Sequence, residues 1–240
     1  DIDRVAATIR PNTRLLTMNF PHNPTGAILS QDIYDALIAL CRHHGIYILH
    51  DEIFNGLGPT GARHLPFIAD VYEKGLSLGV MSKSYGLPGL RIGWIASQDT
   101  EVLSRMERMK HYLSICNSGP SERLALIALK NRDALLGRNC AIVDENLPKW
   151  EAFFARFPDL FEWQPPQGAC TAYPRYKGRH GVEVFARRLV EESGVLVLPS
   201  SIYHSELGAV PQDRFRIGLG RRGLDEGLAA LEAHIKRNSQ

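Results

Sequence analysis

Short apolar runs separated by amphipathic or turn-forming segments dominate the first half of the chain. The apolar runs lie at 15–20, 46–50 and 76–82. Between the first two, Ile33, Leu37 and Cys41 recur at helical spacing, after a candidate N-cap at Ser30 and before Gly45. The runs are apolar throughout rather than alternating, which is typical of parallel strands covered on both faces. We therefore predict an α/β fold with a mostly parallel central sheet flanked by helices.

The pattern changes beyond about residue 146. A further strand at 93–97 and helices at 101–112 and 121–130 are still compatible with the first region. Beyond about residue 146, we predict short strands near 161–163, 170–175, 195–199 and 214–219, and helices over 147–156, 182–193 and 224–237. This second pattern indicates a smaller α+β unit. We expect a large, partial domain over 1–145 and a small C-terminal domain over 146–240.

Composition and charge narrow the classes of function. The 240 residues are 44% hydrophobic and 22% charged with a formal net charge of +2, which is typical of a globular protein. The charges are interspersed and the apolar runs are too short to span a bilayer, so we expect neither nucleic-acid nor membrane binding. The 4 cysteines form no CxxC pair and have no histidine at ligand spacing. We therefore expect no metal site and a cytoplasmic protein with reduced thiols.

Polar residues with useful chemistry stand at the ends of three predicted strands. Asn23, Asp51 and Lys83 each lie at or just beyond the carboxyl end of an apolar run. A single lysine at such a position is usually a solvated charge. Ligands of parallel sheets bind beyond the carboxyl ends of the strands, so three such residues together indicate a ligand site.

Four segments, in this order and spacing, carry a family resemblance. They are NPTG at 23–26, DEIF at 51–54, SKSYGLPGLRIGW at 82–94 and FRIGLGR at 215–221. The chain resembles the fold-type I pyridoxal-phosphate enzymes of the class I/II aminotransferase family, the aspartate aminotransferase superfamily, over nearly its whole length. The resemblance implies pyridoxal 5′-phosphate as cofactor, an amino acid and a 2-oxo acid as substrates, and a homodimer.

The resemblance also implies a role for each matching residue. Lys83 would hold the cofactor as a Schiff base and then move the α-proton of the substrate. Asp51 would keep the ring nitrogen protonated, and Asn23 would donate a hydrogen bond to the ring oxygen. Arg91 would bind the cofactor phosphate, and Arg216, with Asn23 nearby, would bind the substrate carboxylate.

The sequence departs from the family pattern in three respects. Phe54 replaces a tyrosine, so no hydroxyl can stabilise the ring oxygen, and the imine should hold its proton to higher pH. Val80 replaces a serine that binds phosphate, which leaves Ser82 or Ser84 either to reach the phosphate or only to end the strand. The front part of the family fold is missing from the sequence, and we expect a longer parent chain or a partner chain to complete the cofactor site.

The same departures bear on the reaction. Together with the segments 111–122 and 167–175, Phe54 is similar to the branch that contains capreomycidine synthase and the pyridoxal-phosphate arginine oxidases. Amino-group transfer is the default hypothesis. A pyridoxal-phosphate oxidase, hydroxylase, cyclase or lyase acting on arginine or a hydroxyarginine is a second hypothesis. The third is a non-catalytic relic or a ligand-sensing domain.

Overall fold

A four-stranded sheet is built by the first part of the chain in the computed structural model, which describes residues 1–238. The strands, in spatial order, are β1 (Leu15–Asn19), β2 (Tyr47–Asp51), β3 (Gly75–Val80) and β4 (Gly93–Ala96). β1, β2 and β3 are parallel, and β4 is antiparallel to β3. The mostly parallel central sheet is thus confirmed, with one edge strand reversed. The connection over 81–92 contains only the 3-10 turn Pro88–Leu90 and no helix that could return the chain along the sheet, as a parallel crossover usually requires.

Helices cover this sheet. They are α1 (Ile2–Thr8), α2 (Gln31–His44) and α3 (Ile68–Val71). The caps predicted for α2 are confirmed: Ser30 Oγ accepts from Ile33 N, and Gly45 ends the helix in the left-handed region at φ 66°. Tyr34 of α2 is buried with Ile48 of β2 in the core beneath the sheet.

From residue 100 to residue 238 the chain supplies five α-helices and five short strands. The helices are α4 (Thr100–Leu113), α5 (Gly119–Lys130), α6 (Arg132–Ala155), α7 (Gly181–Ser193) and α8 (Leu224–Asn238). The strands are β5 (Phe161–Glu162), β6 (Thr171–Ala172), β7 (Arg175–Tyr176), β8 (Leu198–Pro199) and β9 (Phe215–Gly218). β5 pairs with β7, while β9 lies between β6 and β8. Within residues 1–238, no helix combines the length and hydropathy needed to cross a bilayer.

The helix predicted to begin at residue 147 begins much earlier. α6 is continuous from Arg132 and contains Pro148. Proline removes one helical hydrogen bond but can be tolerated where packing holds both sides of it. Here Trp150 and Val143, on either side, are both buried in the core of the second half. The domain boundary expected at 145/146 falls inside this helix, and the division into two domains stays a prediction.

The strand predicted over 170–175 was also wrong as a single element. It divides into β6 and β7, which belong to different sheets. Pro174 lies between them and has no N–H to donate to a ladder, although its carbonyl accepts from Phe215 N at 3.1 Å.

A segment of the second half, Gln167–Thr171, crosses over two loops of the first half. Gln167 N and Gly168 N both donate to Gly26 O at 2.9 Å, and Ala169 N donates to Leu57 O at 2.7 Å. This crossing segment holds the small sheet of β6, β8 and β9 against the carboxyl edge of the large sheet.

We expect Gly26→Ala to destabilise the protein through this crossing. Gly26 has φ 68°, and an added Cβ would meet Pro166 and, at 2.7 Å, Thr171 O. The left-handed conformation and the overlap together should cost about 3 kcal/mol of unfolding free energy. Gly61→Ala is the matched control, because Gly61 has φ 82° with nothing within 4 Å of an added Cβ. It should cost about 1 kcal/mol. Equal losses for the two variants in denaturant unfolding would contradict the proposed close approach.

Candidate active site

The carboxyl ends of β1 and β2 are level, which brings their terminal residues together. Asn19 is the register partner of Asp51 in the parallel pair. The side chain of Asn19 bridges this end of the sheet, because its Nδ2 donates to Asp51 O at 3.1 Å and its Oδ1 accepts from Asn23 N at 2.9 Å. Asn23 and Asp51, both predicted site residues, are therefore joined through a third residue that we did not predict.

Arg216 reaches this edge from the second half of the chain. It lies on β9 between Phe215 and Ile217, both buried, so its own side chain points to the opposite face of the strand. Its Nη1 donates to Asn23 Oδ1 at 3.1 Å. The hydrogen bond joins residues 193 positions apart. The structure thus brings together two of the predicted site residues from the two halves of the sequence.

Asp51 is half-buried at the end of β2. Its Oδ1 accepts from Ile53 N at 3.2 Å, which fixes the carboxylate as the chain turns away from the sheet. The residues on either side, His50 and Glu52, are buried and contact each other across 2.9 Å. Because side chains alternate along a strand, that buried pair lies on the other face from Asp51.

Lys83 follows β3 and lies in the turn that leads to β4. Its side chain is exposed, with Nζ 6.0 Å from the ring centroid of Phe54, which is 4% exposed. The turn is held from below because Ser84 Oγ donates to Ile53 O at 2.8 Å and Asn139 Nδ2 donates to Ser84 O at 2.8 Å. Of the two serines beside the lysine, Ser84 therefore stabilises the turn with its hydroxyl group.

Ser82 and Arg91 lie close to Lys83 in sequence. Ser82 is half-buried, directly before the lysine. Arg91 ends the 3-10 turn Pro88–Leu90 in the left-handed region at φ 54°, and its exposed guanidinium donates to Pro88 O at 2.9 Å. Among the hydrogen bonds of residues 1–238, that of Arg91 stays within its own turn, so the structure does not join Arg91 to the other site residues. Its role at a cofactor phosphate stays a prediction.

Two residues that we did not predict lie beside Arg216. Burial raises the pKa of the Cys170 thiol, while the positive charges of Lys83 and Arg216 act to lower it. Burial also raises the pKa of Tyr203, and the positive charge of Arg216 opposes that rise. Cys170 therefore lies within electrostatic reach of both predicted cations. Its place at the end of the crossing segment, next to a strand that pairs with β9, depends on tertiary structure that spacing alone does not show.

The charged side chains of the site are free of ion pairs with the part of the chain that the structure describes. Among residues 1–238, no ion pair involves Lys83, Asp51 or Arg216. No group of three or more metal-ligating side chains suited to a metal ion was found among the same residues. An exposed amine, an amide, a carboxylate and a guanidinium at one edge of a sheet suit an organic ligand with an aldehyde, a ring nitrogen and anionic groups.

Comparison with known proteins defines the family. Residues 1–231 match the family model for aminotransferase class I and II, and the chain belongs to this family. The predicted resemblance is confirmed. The chain is 32% identical over 240 residues to capreomycidine synthase from Streptomyces vinaceus, covering 98% of this chain and 59% of that protein. It is 28% identical over 230 residues to the arginine–pyruvate transaminase AruH from Pseudomonas aeruginosa, covering 87% of this chain and 54% of the other.

Solved structures show the same relationship. The crystal structure of a PLP-dependent aminotransferase from Streptococcus suis 89-1591 superposes with a TM-score of 0.89 and 28% identity. The superposition covers 99% of this chain and 61% of that one. The chain therefore spans somewhat more than half the length of the relatives that it matches.

We expect slow alkylation of Cys170 at neutral pH. The raised pKa leaves little thiolate, which is the reactive form, so the rate should increase with pH through a midpoint above that of an ordinary cysteine thiol. Cys116 is exposed and provides an internal comparison. Iodoacetamide labelling followed by peptide mass spectrometry measures both rates. Labelling of Cys170 as fast as Cys116 at pH 7 would contradict the burial of the thiol beside Arg216.

Proposed function

We propose that the chain carries the catalytic site of a pyridoxal-phosphate enzyme acting on an L-α-amino acid, with amino-group transfer to a 2-oxo acid as its reaction. The observation that supports this most directly is the hydrogen bond from Arg216 to Asn23. It joins the guanidinium of Arg216, which suits a substrate carboxylate, to Asn23, which suits the cofactor ring. The residues present fit this cofactor, because the amine, carboxylate and amide that it needs lie at one sheet edge with unneutralised charges.

The chemistry of the bound cofactor is to withdraw electrons from the α-carbon of an attached amino acid, which makes its proton acidic. Lys83 would supply the amine that holds the cofactor covalently, and its Nζ, once displaced by the substrate amine, would take up and return that proton. The exposed position of Lys83 above Phe54 supports this role, since the amine must reach both ligands. Asp51, fixed by Ile53 N, would hold a proton on the ring nitrogen.

Asn23 has an amide whose orientation is set by Arg216. Its Oδ1 accepts from the guanidinium, so Nδ2 is the atom oriented to donate to a ring oxygen. The remaining donors of Arg216 suit a carboxylate, which guanidinium binds in bidentate geometry. Asn23 and Arg216 therefore contribute to both the cofactor and the substrate parts of the proposed site.

The phosphate end of the proposed site is assigned to Arg91 and Ser82. Both lie in the segment around Lys83, and the guanidinium of Arg91 is exposed. Phe54 would contact the cofactor through its ring, without the hydroxyl that many relatives have at this position. These assignments rest on the family resemblance and on the proximity of the residues to Lys83.

A second candidate reaction is supported by particular relatives. Capreomycidine synthase is a synthase rather than a transaminase by its name, and another relative is named for arginine. The same residues would begin an oxidation, hydroxylation, cyclisation or elimination on arginine or a hydroxyarginine, since each starts with removal of the α-proton. A non-catalytic relic or ligand-sensing domain is the third candidate. It is disfavoured because Lys83, Asp51 and Arg216 are retained in one place.

We further propose that the protein is a cytoplasmic homodimer. Large apolar side chains are exposed on and beside α4 and α5, among them Met109, Tyr112, Leu113, Ile115 and Leu124. Exposed apolar side chains grouped along a surface in this way often mark a contact with another protein. The four cysteines are all free, which is compatible with a reducing compartment.

Pyridoxal phosphate should become attached to Lys83. We expect an absorption band near about 400–430 nm on addition of the cofactor. Borohydride should then leave a covalent label at Lys83, because it reduces the imine between the lysine and the aldehyde to a stable secondary amine. Lys83→Ala should abolish both signals. Lys130→Ala, at an exposed lysine that ends α5, should change neither. Label spread over surface lysines in the wild type would contradict the assignment.

Arg216→Gln should weaken amino-acid binding about 100-fold, because a bidentate charge-assisted interaction is lost. Arg221→Gln, at an exposed arginine just beyond the same strand, is the control and should have no effect. The measurement is keto-acid formation from a panel of amino acids with 2-oxoglutarate, recorded together with oxygen uptake.

The panel also separates the candidate reactions. Keto-acid formation that depends on 2-oxoglutarate supports amino-group transfer. Oxygen uptake without that dependence, strongest with arginine, would replace transfer by oxidation. A wild-type protein that binds the cofactor but turns over no amino acid would favour the relic.

A further inference from the structure

Asn19 connects the two residues that would contact the cofactor ring. It is half-buried at the end of β1, beside its register partner Asp51. Its amide makes two hydrogen bonds of opposite sense: Nδ2 donates to Asp51 O at 3.1 Å, and Oδ1 accepts from Asn23 N at 2.9 Å. One planar group therefore holds the loop after β1 and the end of β2 at a fixed separation.

An asparagine is well suited to this position. The bridge needs a donor and an acceptor on one short side chain, and the planar carboxamide of asparagine offers both on adjacent atoms. Aspartate retains the acceptor but loses the donor toward Asp51 O. Glutamine is one methylene longer and would not fit the same separation. Serine has a single hydroxyl, which cannot replace two separate polar atoms.

The bridge continues to the substrate side of the site. Asn23, whose main chain is held by Asn19, accepts from Arg216 through its own side chain. A shift of the Asn23 main chain would therefore move the amide that faces the ring and release Arg216 from it. Asp51 would move in the same event, because its carbonyl is the other end of the bridge.

We propose that Asn19 is a positioning residue that sets the distance between Asn23 and Asp51, and through it the cofactor affinity. This inference rests on the proposed function. The side chain of Asn19 faces Asn23 and Asp51, so Asn19 would act on the cofactor only through those two residues.

The first test needs no cofactor. We expect Asn19→Ala to increase amide hydrogen exchange at Asn23 about tenfold, since the N–H loses its acceptor. Asn19→Asp retains the acceptor and should keep the Asn23 amide protected. Exchange at Asn23 that is unchanged in Asn19→Ala would overturn the proposal whether or not the cofactor binds.

The second test is an equilibrium titration with pyridoxal phosphate, followed by absorbance. Asn19→Ala should bind the cofactor about tenfold more weakly than the wild type, and Asn19→Asp should also bind more weakly because Asp51 is released. The matched control is Asn146→Ala. Asn146 is a buried asparagine whose Nδ2 donates to the carbonyls of Leu219 and Arg221.

Asn146→Ala should lower the unfolding free energy without lowering cofactor affinity, which separates positioning from general destabilisation. Faster exchange in Asn19→Ala with wild-type cofactor affinity would overturn the proposal and leave Asn19 a structural residue. Equal weakening by Asn19→Ala and Asn146→Ala would overturn it as well. A wild-type protein that binds no cofactor would overturn the proposed function itself, and this inference with it.

Discussion

The guanidinium of Arg216 reaches Asn23 because the second half of the chain is held tightly against the loops of the first. The crossing segment Gln167–Thr171 makes this contact through main-chain hydrogen bonds to Gly26 and Leu57. The approach is close, because a Cβ added at Gly26 would overlap Pro166 and Thr171 O. Main-chain contacts of this kind fix distance better than exposed ion pairs, which are worth little individually. The position of the Arg216 guanidinium therefore depends mainly on how the small sheet of β6, β8 and β9 is joined to the large sheet. The sequence around Arg216 matters less.

The reversal of β4 explains the position of Lys83. A parallel strand would require a long crossover after Val80, which would carry the chain away from the carboxyl edge. Because β4 is antiparallel to β3, with Gly93 the register partner of Val80, β4 begins at the edge where β3 ends, and the connection over 81–92 stays at that edge. Ser84 and Asn139 hold this turn from its buried side, which leaves the lysine side chain on the exposed side. The same fold feature thus places the amine at the sheet edge where Asp51 ends β2, with Nζ 6.0 Å from the ring centroid of Phe54.

Much of this arrangement could be predicted from the sequence, because it depends on local patterns. Continuous apolar runs predicted parallel strands, and residues at the ends of those runs predicted the edge where Asn23, Asp51 and Lys83 lie. The continuity of α6 through Pro148 could not be predicted, since packing outweighs the local effect of proline there. Asn19 and Cys170 were missed for a related reason. Their importance comes from partners that only the register of β1 on β2 and the pairing of β6 with β9 bring near.

The phenylalanine at position 54 makes the orientation of the Asn23 amide more important than it would be with a tyrosine there. Without a hydroxyl from Phe54, Asn23 Nδ2 is the remaining donor proposed for the ring oxygen, and its direction depends on Arg216 donating to Oδ1 at the other end of the amide. A substrate carboxylate would bind the remaining donors of the same guanidinium. A shift of the guanidinium toward the carboxylate would therefore also move the Asn23 amide that it holds. Because both groups share one arginine, the substrate and cofactor ends of the proposed site are energetically coupled, and Asn19 limits how far the shared loop can move in response.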